Sequence, residues 1–261
     1  MTDTVPADDR GLLLGDGLFE TVLFKAGKAV LWDDHMARLI RGCEALGMAA
    51  PDPEALAQAA PRAINQADLA QARAAVRLTW TAGSGGRGLE RPADGSPRLI
   101  VTAGLAAKPE GPLALAVSDI RRNETSPTAR LKTLAYLDNV MARRQARARG
   151  ADEAVLLNSR GQLACCAAAN LFWFKRDQLF TPALDCGALG GIMRGQILAA
   201  APNLGLEPVE TRAAPGELEQ ADGVFISNSL IGVRAVRALD GRPVSRNRWI
   251  EALSHDLAEV S

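Results

Sequence analysis

Lys132 is the residue of this chain whose type and position are best suited to covalent chemistry. It lies between Ala129 and Val140, where a short apolar strand is predicted to lead into a helix. A lysine at such a junction is held by rigid structure while its amine reaches into a cleft, and a desolvated amine can act as a nucleophile or a proton carrier. Most lysines are surface charges, so this prediction depends on the features around Lys132.

Three other features are suited to an anionic cofactor. Gly190 and Gly191 precede a predicted helix, whose N-terminal N–H groups could bind phosphate, although a plain tight turn is the alternative. Ser227–Ser229 follows a predicted strand and could contact the same phosphate or form an ordinary polar turn. Arg38 shares a helix face with His35 and could bind phosphate through its guanidinium, although an arginine exposed on a helix is the usual case.

Composition argues against several classes of protein. Lys and Arg total 30, as do Asp and Glu, so we expect neither nucleic acid nor a membrane as a partner. The apolar runs are too short to span a bilayer and the polar N-terminus lacks a signal-peptide pattern, so we expect a cytoplasmic protein. The 4 cysteines and 2 histidines show no metal-ligand spacing, so no metal site is expected. A lysine and a phosphate-binding turn without a metal cluster favour pyridoxal phosphate as the cofactor.

Hydrophobic patterns and turn residues predict an α+β fold, because strands and helices mix without strict alternation. Residues 107–112, with their prolines and glycine, are predicted to link an N-terminal α+β domain (1–106) to a C-terminal cofactor-binding domain (113–261). Asp33 or Asp34 is the expected N-cap of a helix that ends at Gly47. Further helices are predicted over 53–68, 137–149 and 193–201, and strands over 18–24, 29–32, 76–81, 99–102, 113–117, 154–157, 171–174 and 224–226.

Six short motifs occur in an order that resembles the class IV aminotransferase family, the fold type IV pyridoxal-phosphate enzymes. The resemblance covers nearly the whole chain. It implies a two-domain α+β fold with a small N-terminal α/β sandwich and a larger C-terminal pseudo-barrel. It also implies pyridoxal 5'-phosphate as the cofactor, a small-molecule substrate and a homodimer. The motifs are Gly15–Thr21, His35–Leu39, Leu131–Leu134, Asp152–Ala154, Ala169–Trp173 and Gly191–Arg194.

The same resemblance assigns roles to individual residues. Lys132 would hold the cofactor as a Schiff base. The phosphate would be bound by Arg38, by the turn at Gly191 with the amides of Ile192 and Met193, and by Asn228 with Ser229. The glycine-rich segment Gly83–Gly88 and the cysteine-containing segment Cys165–Asn170 are similar to those of the aminodeoxychorismate lyases within the family. Arg87 of the glycine-rich segment is then a candidate for a substrate carboxylate, and Tyr136 a further substrate contact.

Cys165 departs from the family pattern, which has a glutamate at this position to pair with the protonated pyridine nitrogen of the cofactor. A thiol would pair with that nitrogen only as a thiolate, and burial opposes its ionisation. We therefore expect a less protonated ring, which would hinder transamination more than a lyase step in which an aromatic ring forms. Tyr136 and Leu89 differ from the residues usual in the lyases and leave the substrate open.

The leading hypothesis is a lyase that converts 4-amino-4-deoxychorismate to 4-aminobenzoate and pyruvate in folate synthesis. The alternative is a transaminase of the same fold that acts on a D-amino acid, a branched-chain amino acid or an amine. A further alternative is a cofactor-binding protein whose catalysis is lost or altered, with Cys165 as its mark.

Overall fold

A computed structural model describes residues 4–85, 88–108 and 110–260 of the chain, which form two units with a sheet each. The first unit holds the residues up to Ala107 together with Leu131–Tyr136, and the second holds Lys108–Arg130 and the residues from Leu137 onward. The α+β mixture predicted from the sequence is confirmed. The division into folding domains at 107–112 stays a prediction.

The first unit is built on an antiparallel four-stranded sheet with the order β2-β1-β3-β4. Residues Met36, Leu39 and Cys43 of helix α2 pack into the core of this unit, and the partly buried Leu131 packs against the same core. The elements are α1 (Arg10–Leu14), β1 (Gly17–Lys25), β2 (Lys28–Ala29), α2 (Trp32–Ala45), α3 (Pro53–Gln66), β3 (Arg73–Thr81) and β4 (Arg98–Leu105).

The predicted N-cap of α2 is wrong. The helix begins at Trp32 after Leu31, whose φ of 53° lies in the left-handed region and whose side chain makes no capping bond. Asp33 and Asp34 instead lie in the first helical turn, where carboxylates stabilise the positive end of the helix dipole. The strand predicted over 29–32 likewise ends at Ala29, because the chain turns directly from the hairpin into α2.

The second unit is built on a mixed nine-stranded sheet with the order β10-β9-β8-β11-β12-β5-β6-β7, and β13 pairs with β12. The pairs β10–β9, β12–β5 and β5–β6 are parallel. Within the described part of the chain, no helix is both long and apolar enough to cross a membrane. The elements are β5 (Leu113–Arg122), α4 (Leu137–Ala148), β6 (Glu153–Asn158), β7 (Leu163–Cys166), β8 (Asn170–Lys175), β9 (Gln178–Pro182), α5 (Ile192–Ala200), β10 (Glu207–Thr211), α6 (Gly216–Glu219), β11 (Gly223–Asn228), β12 (Gly232–Leu239), β13 (Arg242–Pro243) and α7 (Arg248–Asp256).

Candidate active site

The segment around Lys132 is attached to strand β1 by backbone hydrogen bonds. Phe19 N donates to the Lys132 carbonyl at 2.9 Å, and Leu134 N donates to the Gly17 carbonyl at 3.0 Å. An isolated bridge between Leu18 and Thr133 lies between these bonds. The prediction of a strand before Lys132 is therefore wrong, because this segment forms a single β-bridge and no continuous series of strand hydrogen bonds. Its attachment to β1 still fixes the backbone of the lysine.

The amine of Lys132 lies over aromatic rings. Its Nζ is 4.2 Å from the ring centroid of Phe19 and 5.6 Å from that of Tyr136. Burial, together with the nearby cations Arg38 and Arg77 and against the opposing effect of Glu20, lowers the pKa of Lys132 from 10.5 to about 8. An appreciable share of this amine is consequently neutral at mildly alkaline pH, which is the state that attacks a carbonyl or accepts a proton.

A buried charged cluster joins strand β1 to helix α2. Glu20 accepts hydrogen bonds from Nε and Nη2 of Arg38 at 2.7 and 2.6 Å, and it contacts Nδ1 of His35 at 2.7 Å. Burial opposes ionisation of Glu20, but the bonds from Arg38 and His35 outweigh it and lower its pKa to about 2. Because an ionised carboxylate only accepts hydrogen bonds, we assign the Nδ1 proton of His35 as the donor. Arg38 is thus oriented by Glu20, a partner that the sequence motif did not reveal.

Arg77 is a second cation beside Lys132, and it was not among the predicted site residues. Its guanidinium carbon lies 3.7 Å from the ring centroid of Phe19, the ring that the lysine amine also contacts. Burial lowers the pKa of Arg77 without removing its charge at neutral pH. The alternation of β3 could have indicated it, since Val76 and Leu78 are fully buried on one face and Arg77 must point to the other.

Of the two predicted substrate residues, the structure describes Tyr136 but not Arg87. Tyr136 packs its ring edge against Phe19, with the ring centroids 5.1 Å apart, so it lies beside the lysine amine. Arg87 lies outside the described residues, and its role stays a prediction. Downstream in the same loop, the carbonyls of Leu89 and Glu90 accept hydrogen bonds from Arg10 at 2.7 and 3.0 Å.

The predicted phosphate turn lies in the second unit, at the start of helix α5. Gly191 is the N-cap of α5, and as a glycine it has no side chain that could accept a capping hydrogen bond. The first-turn amides, which include those of Ile192 and Met193, therefore receive no side-chain cap from this residue. A Cβ atom on Gly191 would overlap Oδ1 of Asn170, whose Nδ2 donates to the Leu189 carbonyl at 2.8 Å. Any larger residue at this position would displace the Asn170 amide, which is held by its bond to the Leu189 carbonyl and shapes the turn.

The predicted contact of Asn228 and Ser229 with phosphate stays a prediction, and the side chain of Asn228 is hydrogen-bonded within the protein. Its Nδ2 donates to the Ala168 carbonyl at 2.8 Å, and its Oδ1 accepts from the amides of Leu230 and Ile231 at 2.9 Å each. This side chain builds the turn that carries the partly buried Ser229. Ser227, one residue earlier, is fully buried and its hydroxyl has no hydrogen-bond partner among the described residues.

Cys165 lies in strand β7 opposite Leu156 and packs in an alanine-rich cluster. Burial raises the pKa of its thiol, and Arg122 opposes that effect while Glu153 adds to it. The thiol is therefore neutral at physiological pH. Glu153 is also buried, and its Oε1 accepts a hydrogen bond from the Ala154 amide at 2.8 Å.

A lysine with a lowered pKa and a helix N-terminus preceded by glycines are both features found in pyridoxal-phosphate enzymes. Comparison with known proteins identifies the family to which the chain belongs. The model of the amino-transferase class IV family matches residues 17–239, so the chain belongs to that family. It is a pyridoxal-phosphate-dependent enzyme of fold type IV.

Relatives within the family carry two kinds of name. The aminodeoxychorismate lyase of Bacillus subtilis (strain 168) is 31% identical over 229 residues, which cover 86% of this chain and 78% of the relative. The crystal structure of 4-amino-4-deoxychorismate lyase from Pseudomonas aeruginosa matches with 30% identity and a TM-score of 0.89, covering 99% of this chain and 96% of that one. The branched-chain aminotransferase from Thermoproteus uzoniensis, solved with norvaline, matches with 26% identity and a TM-score of 0.91, covering 99% and 89%.

The residues present fit this cofactor. Lys132 supplies an amine that burial keeps partly neutral, as a covalent link to an aldehyde requires. In the second unit, considered by itself, the uncapped N-terminus of α5 and the unpartnered hydroxyl of Ser227 suit a group rich in hydrogen-bond acceptors, such as a phosphate.

Proposed function

We propose that this chain is a lyase that converts 4-amino-4-deoxychorismate to 4-aminobenzoate and pyruvate. The lyases among its relatives support this assignment. The observation that favours it over transamination is the neutral, buried thiol of Cys165. By the sequence resemblance, this thiol stands where the family has a carboxylate. A neutral thiol cannot stabilise a protonated pyridine ring, and an elimination that forms an aromatic ring depends less on that stabilisation than transamination does.

Lys132 has two roles in this proposal. Pyridoxal phosphate, when bound, supplies an aldehyde that captures amines and a ring that withdraws electrons. Lys132 is the amine that would hold it, and its Nζ, when free and neutral, would accept the proton from the amine-bearing ring carbon of the substrate. The bond to the enolpyruvyl oxygen then breaks, the ring becomes aromatic, and the enol leaves as pyruvate after it takes up a proton.

Positively charged side chains provide the remaining functions. By the family resemblance, Arg38 of the first unit, which Glu20 orients, is a candidate for binding the cofactor phosphate. The amides of Ile192 and Met193 at the start of α5 are separate candidates by the same resemblance. Arg77 is a candidate for a substrate carboxylate, because its guanidinium contacts the same Phe19 ring as the lysine amine. Arg87 stays a second candidate for that contact.

A product assay tests the assignment. The purified enzyme with added pyridoxal phosphate should release 4-aminobenzoate from 4-amino-4-deoxychorismate without an added keto acid. Lys132→Ala should abolish both this release and the absorbance of the lysine-bound cofactor, whereas exposed Lys28→Ala is the matched control and should change neither. Turnover by the Lys132 variant would refute the role of the lysine.

A transaminase is the second candidate, and the high structural similarity to the Thermoproteus uzoniensis branched-chain aminotransferase favours it. Amine exchange that depends on an added keto acid, with no release of 4-aminobenzoate, would support this candidate and refute the lyase. The assay should include a D-amino acid, a branched-chain amino acid and a simple amine as donors.

The proposed lyase would act in folate biosynthesis as a cytoplasmic homodimer. Supplementation of a deletion strain with 4-aminobenzoate tests the pathway, because growth should then no longer require this gene. Sedimentation equilibrium tests the assembly, and a monomer mass in the presence of cofactor would refute the dimer.

A further inference from the structure

Ser227 has a hydroxyl that the fold leaves without a partner. It lies in strand β11, is fully buried, and its Oγ makes no hydrogen bond within the described residues. Buried hydroxyls are usually hydrogen-bonded, because losing water without a replacement partner destabilises the folded state. A ligand that accepts a hydrogen bond would supply that partner.

The position of Ser227 relates this hydroxyl to helix α5. Ser227 is paired in register with Asn170 of strand β8, so the two side chains are neighbours on one face of the sheet. Strand alternation places Phe172 and Phe225 on that same face, where they belong to the core formed with Met193 and Ile197 of α5. Ser227 therefore points to the side of the sheet that α5 covers.

Asn170 also connects Ser227 to the first turn of α5. Its Oδ1 occupies the space that a Cβ atom of Gly191 would need, so the N-cap of α5 sits directly against the neighbour of Ser227. The helix has nine residues and no side-chain cap from Gly191, so its first-turn amides can receive an anion. The unpartnered hydroxyl is thus next to Asn170, the residue that contacts the end of α5 that attracts negative charge.

We propose that the Ser227 hydroxyl donates a hydrogen bond to the phosphate of pyridoxal phosphate at the N-terminus of α5. This proposal rests on the proposed function, in which the cofactor phosphate binds at that N-terminus. Within the segment Ser227–Ser229 it assigns a phosphate contact to the Ser227 hydroxyl, because the side chain of Asn228 already bonds to Ala168, Leu230 and Ile231.

Ser227→Ala should have opposite effects on the apoenzyme and on cofactor binding. Without cofactor, the variant loses a buried hydroxyl that has no partner, so its melting temperature should rise by about 2–4 °C. With cofactor, it loses a bond to a charged group, so its affinity for pyridoxal phosphate should fall about tenfold or more. Pyridoxal, which lacks the phosphate, should bind the variant and the wild type equally well.

The matched control is Ser118→Ala. Ser118 is also buried in the second unit, but its hydroxyl donates to Gln145 Oε1 at 2.7 Å. This variant should lower the melting temperature and leave both affinities unchanged. Absorbance and fluorescence titrations of the full-length protein with pyridoxal phosphate and with pyridoxal give the dissociation constants.

The outcomes separate this inference from the proposed function. Unchanged affinity of Ser227→Ala for pyridoxal phosphate would overturn the inference, and so would an equal loss of affinity for both ligands, which would indicate a structural role. A melting temperature below that of the wild-type apoenzyme would also overturn it. Failure of the wild type to discriminate pyridoxal phosphate from pyridoxal would instead refute phosphate binding at α5, and with it part of the proposed function.

Discussion

Replacing Lys132 with methionine should stabilise the apoenzyme at neutral pH. The amine is buried among aromatic rings and next to Arg38 and Arg77, and its pKa falls from 10.5 to about 8. A shift of about 2.5 units corresponds to about 3.4 kcal/mol at about 1.36 kcal/mol per unit. Holding the charged lysine in the folded apoenzyme therefore costs about 3 kcal/mol, and methionine keeps the apolar stem without that cost.

The pH dependence of this effect has a definite sign. Between pH 8 and 10.5 the unfolded chain holds the lysine proton and the folded chain does not, so wild-type stability rises with pH in this window. Below pH 8 the full cost is present. The advantage of Lys132→Met should thus be about 3 kcal/mol at pH 7 and shrink to about 1.4 kcal/mol at pH 9.5, one unit below the ordinary lysine pKa.

Urea unfolding of the two apoenzymes at pH 7 and pH 9.5 measures this difference, and groups common to both proteins cancel in the comparison. Lys28→Met, at an exposed lysine, is the control and should unfold like the wild type at both pH values. Equal stability of Lys132→Met and wild type at pH 7, or a difference that does not shrink with pH, would refute the reasoning.

Three further predictions concern the neighbours of the lysine and the departure at Cys165. Glu20→Gln leaves Arg38 without its buried counter-ion, so urea unfolding at pH 7 should show a loss of about 3 kcal/mol. The folded pKa of Glu20, about 2, lies below its ordinary 4.5, so the wild type should lose stability as pH falls from 4.5 to 2, and the variant should lack that part of the loss. Arg77→Leu should raise the pKa of Lys132. When the reaction rate of the apoenzyme amine with an amine-reactive reagent is measured against pH, its midpoint should move to higher pH in the variant. An unchanged midpoint would contradict the electrostatic role of Arg77. Cys165→Glu should introduce keto-acid-dependent amine exchange. Absence of that exchange would count against the argument that a carboxylate at this position supports transamination by stabilising the protonated pyridine ring.

Local patterns were sufficient to predict the long elements and the turn before helix α5. Alternating apolar residues and turn residues located β1, β3 and β11, and the glycine pair located the start of α5 to within one residue. The order of the six motifs was sufficient to predict the family, which the family model confirms. These features are encoded by residues close together in sequence.

Short elements and long-range partners could not be predicted in the same way. Strand β7 has four residues, Leu163–Cys166, which is too few for a periodic pattern, and its place is fixed by pairing with β6. The Glu20–Arg38 pair joins a strand to a helix eighteen positions later, and no periodicity links the two residues. The sequence leaves Ser227 as either a phosphate contact or part of a polar turn, because its burial depends on the neighbouring strands and on the core beneath α5.

The charges near Lys132 explain why an anionic ligand suits this part of the first unit. Arg38 and Arg77 both lower the pKa of the lysine, and Glu20 opposes them, so two permanent cations face one carboxylate even when the amine is neutral. Glu20 is already bound by Arg38 and His35, which leaves Arg77 without a carboxylate of its own among its contacts in the described residues, where its Nε donates to the Thr79 hydroxyl. Arg77 is exposed on strand β3, so a ligand carboxylate can reach its guanidinium, and negative charge brought there raises the proton affinity of Lys132. A carboxylate-bearing substrate would thus strengthen the lysine as a base at the stage when it must accept a proton.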